Sequence, residues 1–337
     1  MKVTLIGVDL AKTIFQVCGV NDHHKVSFNK AIRRHKFLDF LSTYPDAVIA
    51  MEACGGSNYW GRTLKSMGYK VMLIPPQHVK PFVKGNKNDR NDAFAITEAA
   101  KRPNLSTVEP RTIEQTDLIQ LHRVLERRKT TRTSLTNQIR GFLSEYGIVI
   151  AKGQSQLKQA IPELLDDAEN GLSPAIRQLL NLLLSEWRQL EGDIKTIEKQ
   201  ITLSARRDEA SSRLMGMKGV AEKISTAMVA HIGNAKNYTS GRHLSASLGL
   251  VPKEHSSGGK QSFGSITKRG NRYLRRLLIQ GAWSVVRTAK ADSPDRLSRW
   301  ANQIVERRGK QKAVTAVANK MVRIMWAMLY YQMPYRA

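Results

Sequence analysis

The chain has 337 residues, enough for two compact domains and a connector, and it carries 54 Lys and Arg against 28 Asp and Glu. The resulting net charge of +26 predicts a polyanionic partner such as nucleic acid, bound more weakly as salt rises. No apolar run approaches the ~20 residues of a membrane-spanning helix and no signal-peptide pattern is present, so we expect a cytoplasmic protein without a membrane role. Cys18 and Cys54, with no His/Cys cluster nearby, are expected to be reduced buried thiols.

The first hundred residues alternate between short apolar runs and amphipathic stretches. The runs are rich in β-branched residues and favour buried strands, whereas the stretches have helical spacing. We predict strands over residues 2–10, 15–20, 25–29, 47–51 and 70–74. We predict helices over residues 31–43, 58–67 and about 89–101. The order of three strands, helix, strand, helix, strand, helix is typical of an RNase H-like or RuvC-like α/β domain.

Four acidic residues occupy particular places in this layout. Asp9 ends the first strand, Glu52 follows the fourth, and Asp89 and Asp92 lie three residues apart on one face of the last helix. Strand ends and a helix face can bring distant carboxylates together, and two Mg²⁺ ions held there would activate a phosphodiester. The alternative is that each carboxylate is merely solvated, or that Asp89 or Asp92 caps the helix.

Charge and helical periodicity divide the chain into three segments. Residues 1–110 carry a net +7, residues 111–210 a net +1, and residues 211–337 a net +18. The middle segment reads as a helical coiled-coil connector, with a heptad-like seam that could close within the chain, against another chain, or both. An ordinary helical hairpin in a monomer is the alternative. The seam comprises Leu179, Leu183, Trp187, Leu190, Ile194, Ile197 and Ile201.

The basic third segment is predicted to be mainly α-helical and opens with a candidate helix-hairpin-helix over residues 213–233. Its glycines would let backbone N–H groups approach a phosphate, assisted by Lys218 and Lys223. A plain helical turn packed in the core is the alternative. Two further helices, over residues 295–307 and 313–331, are expected to complete the core of this domain, although the second could bind a partner.

A second chemical feature is the loop Glu254-His255-Ser256-Ser257-Gly258-Gly259-Lys260. A serine hydroxyl needs a base or a strongly positive environment to act as a nucleophile. Guanidinium groups would supply that environment and would bind phosphate bidentately. The alternative is a phosphate-contacting loop with no covalent role. The basic residues in and after the loop are Lys260, Lys268, Arg269, Arg272, Arg275 and Arg276.

These motifs together resemble a known family. GVDLAK, MEACGG and KNDRNDAFAI are similar to the DEDD insertion-sequence transposases, and GMKGVAEKISTAMVAHIG, LSASLGLVPKEHSSGGK and GSITKRGNRYLRRLLIQGA to their C-terminal Transposase-20 domain. The resemblance implies a serine-using DNA recombinase guided by a bridge RNA from the mobile element. It places the nucleophile directly before glycine, at Ser257, although Ser256 leaves the register open. His255 receives no catalytic role.

The resemblance implies a mechanism in which Mg²⁺ on the four carboxylates and Ser257 act on one scissile phosphate. The expected partners are donor and target DNA, the bridge RNA and further copies of the chain in a dimer or tetramer. Whether the serine acts in cis or in trans stays open. One rival is a structure-selective endonuclease of the Holliday-junction resolvase type, which uses water and leaves Ser257 without a role. The other is a non-catalytic nucleic-acid-binding scaffold.

Overall fold

A computed structural model of the protein describes residues 2–86 and 88–337. The chain divides into two compact units. The first comprises Met1–Thr116 with Gly233–Asn237, and the second comprises Asp117–Ile232 with Tyr238–Ala337. The helical middle segment therefore belongs to the same unit as most of the basic C-terminal segment, while the three-segment division by function stays a prediction.

The first unit is built on a five-stranded sheet. Its strands are β1 (Val3–Asp9), β2 (Ile14–Asn21), β3 (Val26–Arg33), β4 (Val48–Glu52) and β5 (Val71–Ile74). They lie in the order β3-β2-β1-β4-β5, with β1, β2 and β3 antiparallel and β1, β4 and β5 parallel. Because parallel strands end at the same edge of a sheet, β1 and β4 finish side by side.

Helices cover both faces of this sheet. They are α1 (Phe37–Ser42), α2 (Ser57–Ser66), the short α3 (Pro76–Val79) and α4 (Asp89–Ala100). One face packs Val8, Phe15 and Met51 against α1 and α2. The opposite face packs Ala50 and Ile74 against Ala95, Ile96 and Ala99 of α4. Residues that alternate along a strand therefore face different helices, and this alternation positions the functional side chains.

The predicted mixed α/β organisation of the N-terminal part is confirmed, with one local correction. The helix predicted over residues 31–43 begins later, because β3 continues to Arg33 and a short 3-10 turn precedes α1. In the sheet, Ile32 pairs with Phe15 and also packs on the core. Pairing with β2 therefore outweighs the local helical spacing of residues 31–33.

The second unit is mainly helical, as predicted. Its helices are α5 (Ile113–Glu145), α6 (Gln154–Asp166), α7 (Pro174–Arg207), α8 (Glu209–Met215), α9 (Glu222–Ile232), α10 (Gly241–Ser247), α11 (Arg272–Arg287), α12 (Arg296–Arg308) and α13 (Lys310–Tyr330). A two-stranded ribbon of β6 (Pro252–Glu254) and β7 (Phe263–Ile266) lies between α10 and α11 along the chain. No helix in residues 2–86 and 88–337 is both long and apolar enough to cross a membrane.

The two long helices α5 and α7 form an antiparallel hairpin within the chain. The ion pairs Arg128–Asp193 (3.1 Å) and Arg132–Glu191 (2.7 Å) join them. Leu135, Ile139 and Leu143 of α5 share a core with α6 and α7. The long helices predicted for the middle segment are present and pair within the chain, whereas a coiled-coil connector and pairing with a second chain stay predictions.

The predicted seam on α7 is correct in its second half and out of phase in its first. Trp187, Leu190, Ile194 and Ile201 are buried as expected. Near the start of the helix, however, Leu180 and Leu184 are buried, whereas Leu179 is 47% exposed. The leucine-rich start of α7 offers several possible apolar stripes, and packing against α6 selects one of them.

The turn between α8 and α9 packs tightly on α11. A Cβ on Gly219 would lie 2.6 Å from the carbonyl oxygen of Gly281. Gly219 also has a φ of +81°, which a side chain would disfavour. Helices flank the turn as predicted, but Gly219 serves a backbone contact between the turn and α11, and the DNA-binding role of a helix-hairpin-helix here stays a prediction.

Candidate carboxylate site and serine loop

Asp9 and Glu52 end neighbouring parallel strands. Val8 pairs with Met51 in the β1–β4 register, so the next residue on each strand is an acid. Adjacent strands are roughly 4.8 Å apart, which places the two carboxylates at one edge of the sheet. Both residues are half-buried. The prediction that strand ends bring these two distant acids together is consistent with this register.

The other two acids lie in the first turn of α4, on the same face of the sheet. Gly7 faces α4, since a Cβ there would contact Thr97 Oγ1 and lie 2.8 Å from the Ala93 carbonyl oxygen. Asp9, two residues further along β1, shares that face. It lies toward the helical turn before Ala93, which contains Asp89 and Asp92.

Helix α4 begins at this edge for a local reason. The Asn88 side chain accepts a 2.8 Å hydrogen bond from the Asn91 backbone N–H and so caps the helix. Neither aspartate therefore serves as the capping residue. Both lie in the first turn, where their negative charges interact favourably with the positive end of the helix dipole. This removes one of the alternative roles considered for Asp89 and Asp92.

The Cys54 thiol lies close enough to Glu52 and Asp9 for their negative charges to affect its pKa. Burial raises the pKa of its thiol, and the nearby charges of Glu52 and Asp9 raise the pKa further. The thiol is therefore protonated at neutral pH and is no thiolate nucleophile. Both cysteines are free, as expected, but Cys54 is only half-buried whereas Cys18 is fully buried.

The four carboxylates share an edge without converging on one point. Within residues 2–86 and 88–337, no three His, Cys, Asp or Glu side chains are close enough to hold a metal ion. The donor set nevertheless fits a hard divalent cation, because it offers carboxylate oxygens, the ligands that Mg²⁺ prefers. Metal binding at Asp9, Glu52, Asp89 and Asp92 thus stays a prediction.

The serine loop is the exposed tip of the β6–β7 ribbon. The Lys260 backbone N–H donates a 3.0 Å hydrogen bond to the Ser257 carbonyl and closes a tight turn. Gly258 and Gly259 have φ values of +55° and +77°, a pairing that only glycine adopts easily. Ser257 is therefore presented at the start of a turn whose shape depends on the two glycines.

The two candidate serines differ in their hydrogen bonds. Ser256 Oγ donates to Glu254 Oε1 over 2.7 Å and accepts from the Ser262 N–H over 3.4 Å. In the described part of the chain, no hydrogen bond engages the Ser257 hydroxyl, and the residue is exposed. Both serines are exposed, and among the residues that the structure describes only Ser256 of the two has its hydroxyl engaged, while the assignment of Ser257 as the nucleophile stays a prediction.

The basic residues predicted to bind nucleic acid fall into two groups. In the first group the side chains already have partners within the second unit. Lys218 donates to Ser298, Lys223 pairs with Glu198, Arg275 donates to the carbonyls of Leu248 and Arg269, and Arg276 pairs with Glu126. In the second group the exposed side chains form no hydrogen bond or ion pair among the described residues. This group comprises Lys260, Lys268, Arg269 and Arg272.

A buried polar cluster escaped the sequence analysis. His122 of α5 is hydrogen-bonded through Nδ1 to the Tyr273 hydroxyl (2.8 Å) and through Nε2 to Thr226 Oγ1 (3.0 Å). Burial lowers the pKa of His122 to about 4, so its imidazole is neutral. Burial also raises the pKa of Tyr273. Since the three residues come from α5, α9 and α11, no local sequence signal could have linked them.

Two family models match the chain. A model described as "Transposase" matches residues 6–148, and one described as "Transposase IS116/IS110/IS902 family" matches residues 211–297. The first covers the strands and helix that carry the four carboxylates, and the second covers the serine loop. Both candidate sites therefore lie inside matched regions.

Full-length relatives agree with these matches. The chain is 40% identical over 334 residues to the "Transposase for insertion sequence element IS1111A" of Coxiella burnetii, covering 99% of this chain and 92% of the relative. It is 41% identical over 337 residues to a "Probable family 20 transposase" of Pseudomonas aeruginosa, covering 100% and 99%. The "Transposase for insertion sequence element IS1328" of Yersinia enterocolitica is 37% identical, covering 96% of each chain.

An α/β unit with an acidic sheet edge, followed in the chain by a strongly basic helical unit, is typical of proteins that act on nucleic acid. The matches over nearly the whole chain narrow this class to the enzymes that move DNA segments. The chain belongs to the IS110 family of insertion-sequence transposases. The predicted family is confirmed at this level.

Proposed function

We propose that this transposase cuts and rejoins DNA through a covalent phosphoserine intermediate on Ser257, with Mg²⁺ bound by Asp9, Glu52, Asp89 and Asp92. The observation that carries the proposal is the placement of all four carboxylates at one end of one face of the sheet. That placement is what an RNase H-like domain requires of its acids. When bound there, divalent ions would stabilise the charge that develops on the attacking and leaving oxygens.

The covalent step conserves bonds. Ser257 Oγ forms a bond to phosphorus while the bond from phosphorus to the 3′ oxygen breaks. The serine proton passes to water, and the leaving 3′ oxygen takes a proton from water to become a free 3′ hydroxyl. The 5′ phosphate remains esterified to Ser257, which preserves the bond energy needed for rejoining.

Rejoining reverses the same chemistry with another strand. A 3′ hydroxyl from the second DNA attacks the phosphoserine, a new phosphodiester forms and the Ser257 hydroxyl is released. One P–O bond forms for each that breaks, so no high-energy cofactor is needed. The exposed group of Lys260, Lys268, Arg269 and Arg272 would bind phosphates beside the loop and offset the charge of the pentavalent phosphorus.

The proposal has two further parts. A bridge RNA selects the target DNA, and the protein assembles into a dimer or tetramer. The net charge of +18 on residues 211–337 supports binding to several nucleic-acid strands. Joining donor and target DNA requires more than one serine and more than one carboxylate set. RNA that copurifies with the protein, sequenced after nuclease protection, tests the guide, and light scattering of the purified complex tests the subunit number.

A trapped adduct tests the nucleophile. A 3′-labelled DNA carrying the element end, incubated with protein and resolved under denaturing conditions, should give a labelled protein–DNA adduct with the wild type and with Ser256→Ala, because the fragment that stays on the serine runs from the cut to the 3′ end of the strand. The adduct should be absent with Ser257→Ala. Cleavage of the DNA without any adduct would instead favour the water-using resolvase-type endonuclease.

Strand cleavage with and without Mg²⁺ tests the carboxylates. Asp9→Ala should abolish Mg²⁺-dependent cleavage, whereas Asp46→Ala, which removes an exposed acid paired with Lys2 at 2.7 Å, should not. If the wild-type protein binds DNA but cleaves nothing under any metal, the non-catalytic scaffold is the better description.

A further inference from the structure

The second unit contains a pocket of about 770 Å³ that lies apart in sequence from the serine loop. It is lined by the start of α10, the start of α12, one side of α13 and the residues that follow α13. All of these segments belong to the same compact unit. A volume of this size accommodates a small organic group with a charged substituent.

Five cationic side chains line this pocket and no acidic side chain does. In the described part of the chain none of the five forms an ion pair or a side-chain hydrogen bond. Lys320 instead lies 4.2 Å from the centre of the Trp300 ring. Burial lowers the pKa of Lys320, and the positive charge of Arg323 lowers the pKa further. The five cations are Arg242, Arg296, Lys320, Arg323 and Arg336.

The cations surround an aromatic and aliphatic wall. Trp326 lines the pocket, and its indole N–H donates a 3.2 Å hydrogen bond to the Tyr238 carbonyl, which fixes the ring. Tyr330 stacks beside it, with ring centres 4.8 Å apart. Leu297 and Met328 add apolar surface. An inorganic anion would leave this wall unused, whereas a nucleobase would stack on it.

The walls of the pocket are held in place by contacts of their own. A Cβ on Gly241 would lie 2.9 Å from the Arg323 Cα, so α10 and α13 approach at backbone distance. The Tyr335 hydroxyl donates to Asp295, which also accepts from Ser298 Oγ over 2.7 Å. The Asp295 carboxylate therefore accepts from Tyr335 and Ser298 and, among the described residues, forms no ion pair with the neighbouring Arg296.

We propose that this pocket binds one unpaired nucleotide of a nucleic-acid strand, with the base on Trp326 and the phosphates on Arg296, Arg323 and Lys320. A duplex would not present a free base face, so the site selects single-stranded or extruded nucleotides. None of the basic residues predicted from the sequence lines the pocket. The inference depends on the proposed function only in that both involve nucleic acid.

Fluorescence anisotropy with four labelled 12-residue probes tests the site. They are oligothymidylate, oligouridylate, an abasic strand of the same length and a DNA duplex. Arg296→Ala/Arg323→Ala should weaken oligothymidylate or oligouridylate binding about tenfold or more and reduce the salt dependence by about 0.7 for each lost phosphate contact. The stronger of these two probes identifies the strand as DNA or RNA.

A matched control removes two charges elsewhere. Arg307→Ala/Arg308→Ala deletes two exposed arginines at the far end of the same α12 and should weaken single-strand binding less than threefold. Wild-type protein should bind the abasic strand about tenfold more weakly than oligothymidylate, because stacking is lost. Equal losses in the two double variants, or equal affinity for abasic and ordinary strands, would overturn the proposal.

Two further measurements separate this site from the catalytic one. Asp9→Ala and Ser257→Ala should retain single-strand binding even if both lack cleavage and adduct formation. Circular dichroism should show Arg296→Ala/Arg323→Ala folded, since both side chains are exposed. If Ser257→Ala lost as much affinity for the single strand as Arg296→Ala/Arg323→Ala, the base would not be bound in this pocket and the proposal would be wrong.

Discussion

Ser256 donates a 2.7 Å hydrogen bond to the carboxylate of Glu254, the last residue of β6, whereas the neighbouring Ser257 opens the glycine turn. The two serines are adjacent in sequence but differ in what holds them. A hydroxyl bound to a carboxylate could be a restrained structural group or a nucleophile with its base. Substitution of Glu254 distinguishes these roles.

We expect Glu254→Gln to leave the rate of covalent adduct formation within about twofold of wild type. Glutamine keeps an acceptor for the Ser256 hydroxyl but removes the negative charge, and Ser257 does not depend on either. If Ser256 and Glu254 act instead as nucleophile and general base, the rate should fall by about 10²–10⁴. Single-turnover gel quantification, with Ser256→Ala as the parallel variant, gives the answer.

Buried His122 should make stability fall as pH falls. Its folded pKa of about 4 lies below its ordinary value of 6.5, so the unfolded chain binds the proton more readily between these two pH values. The stability it supports is complete above pH 6.5 and is lost toward pH 4. Between pH 7.5 and pH 5 this group should cost about 2 kcal/mol.

Urea unfolding of wild type and His122→Gln at the two pH values checks this prediction. The variant should be less stable at pH 7.5, because its contacts to Tyr273 and Thr226 change, but its loss toward pH 5 should be smaller by about 2 kcal/mol. His243→Gln alters an exposed histidine and should leave the wild-type pH dependence intact. An unchanged pH dependence in His122→Gln would contradict a neutral buried His122.

Gly281→Ala should destabilise the second unit although alanine favours helices. The added Cβ would overlap the Gly219 carbonyl and lie 2.8 Å from Ile224 Cδ1, so α11 would have to move away from the turn. We expect a loss of about 1–3 kcal/mol in the free energy of unfolding.

Gly192→Ala supplies the comparison for Gly281. Gly192 lies in α7 with nothing within 4 Å of a built Cβ, so the substitution should stabilise the protein by about 0.5–1 kcal/mol. Thermal and urea unfolding of the two variants should therefore shift in opposite directions. A shift of Gly281→Ala in the stabilising direction would mean that the turn and α11 are not in close contact.

Arg272 and Arg275, three residues apart on α11, should respond differently to truncation. Arg275 donates to the Leu248 and Arg269 carbonyls over 2.9 and 2.7 Å, so Arg275→Ala should lower the free energy of unfolding by about 1–3 kcal/mol. Arg272 is exposed, and Arg272→Ala should keep the melting temperature. It should instead reduce the salt dependence of duplex DNA binding by about 0.9. Identical behaviour of the two variants in both assays would refute this assignment.

The acidic sheet edge could be predicted because the sequence features that define it lie within a few residues of each acid. Apolar runs ending at Asp9 and Glu52 define strand ends, and parallel strands end together. The continuation of β3 to Arg33 and the phase of the α7 seam depended on pairing partners distant in sequence. The same is true of the His122 cluster and of the basic pocket, whose members come from helices that no periodicity connects.

The nucleic-acid residues illustrate a related limit. The sequence alone does not show whether a basic side chain on a helix is free to bind a phosphate or already bonded to a group of its own chain. Lys223 is already bonded within the chain, because it forms an ion pair with Glu198, and Lys129 pairs with the same carboxylate at 2.8 Å. Only the fold separates such residues from Lys268 or Arg272.

The α5–α7 hairpin fixes how this enzyme can vary in length. Each arm has over 30 residues and is about 50 Å long, and cross-links such as Arg132–Glu191 lock the phase of one arm to the other. Deleting a single residue from one arm would rotate everything beyond it by about 100°, turning charged partners away and apolar residues toward water. The length of the α5–α7 hairpin can therefore change only by whole helical turns, and only if both helices change together.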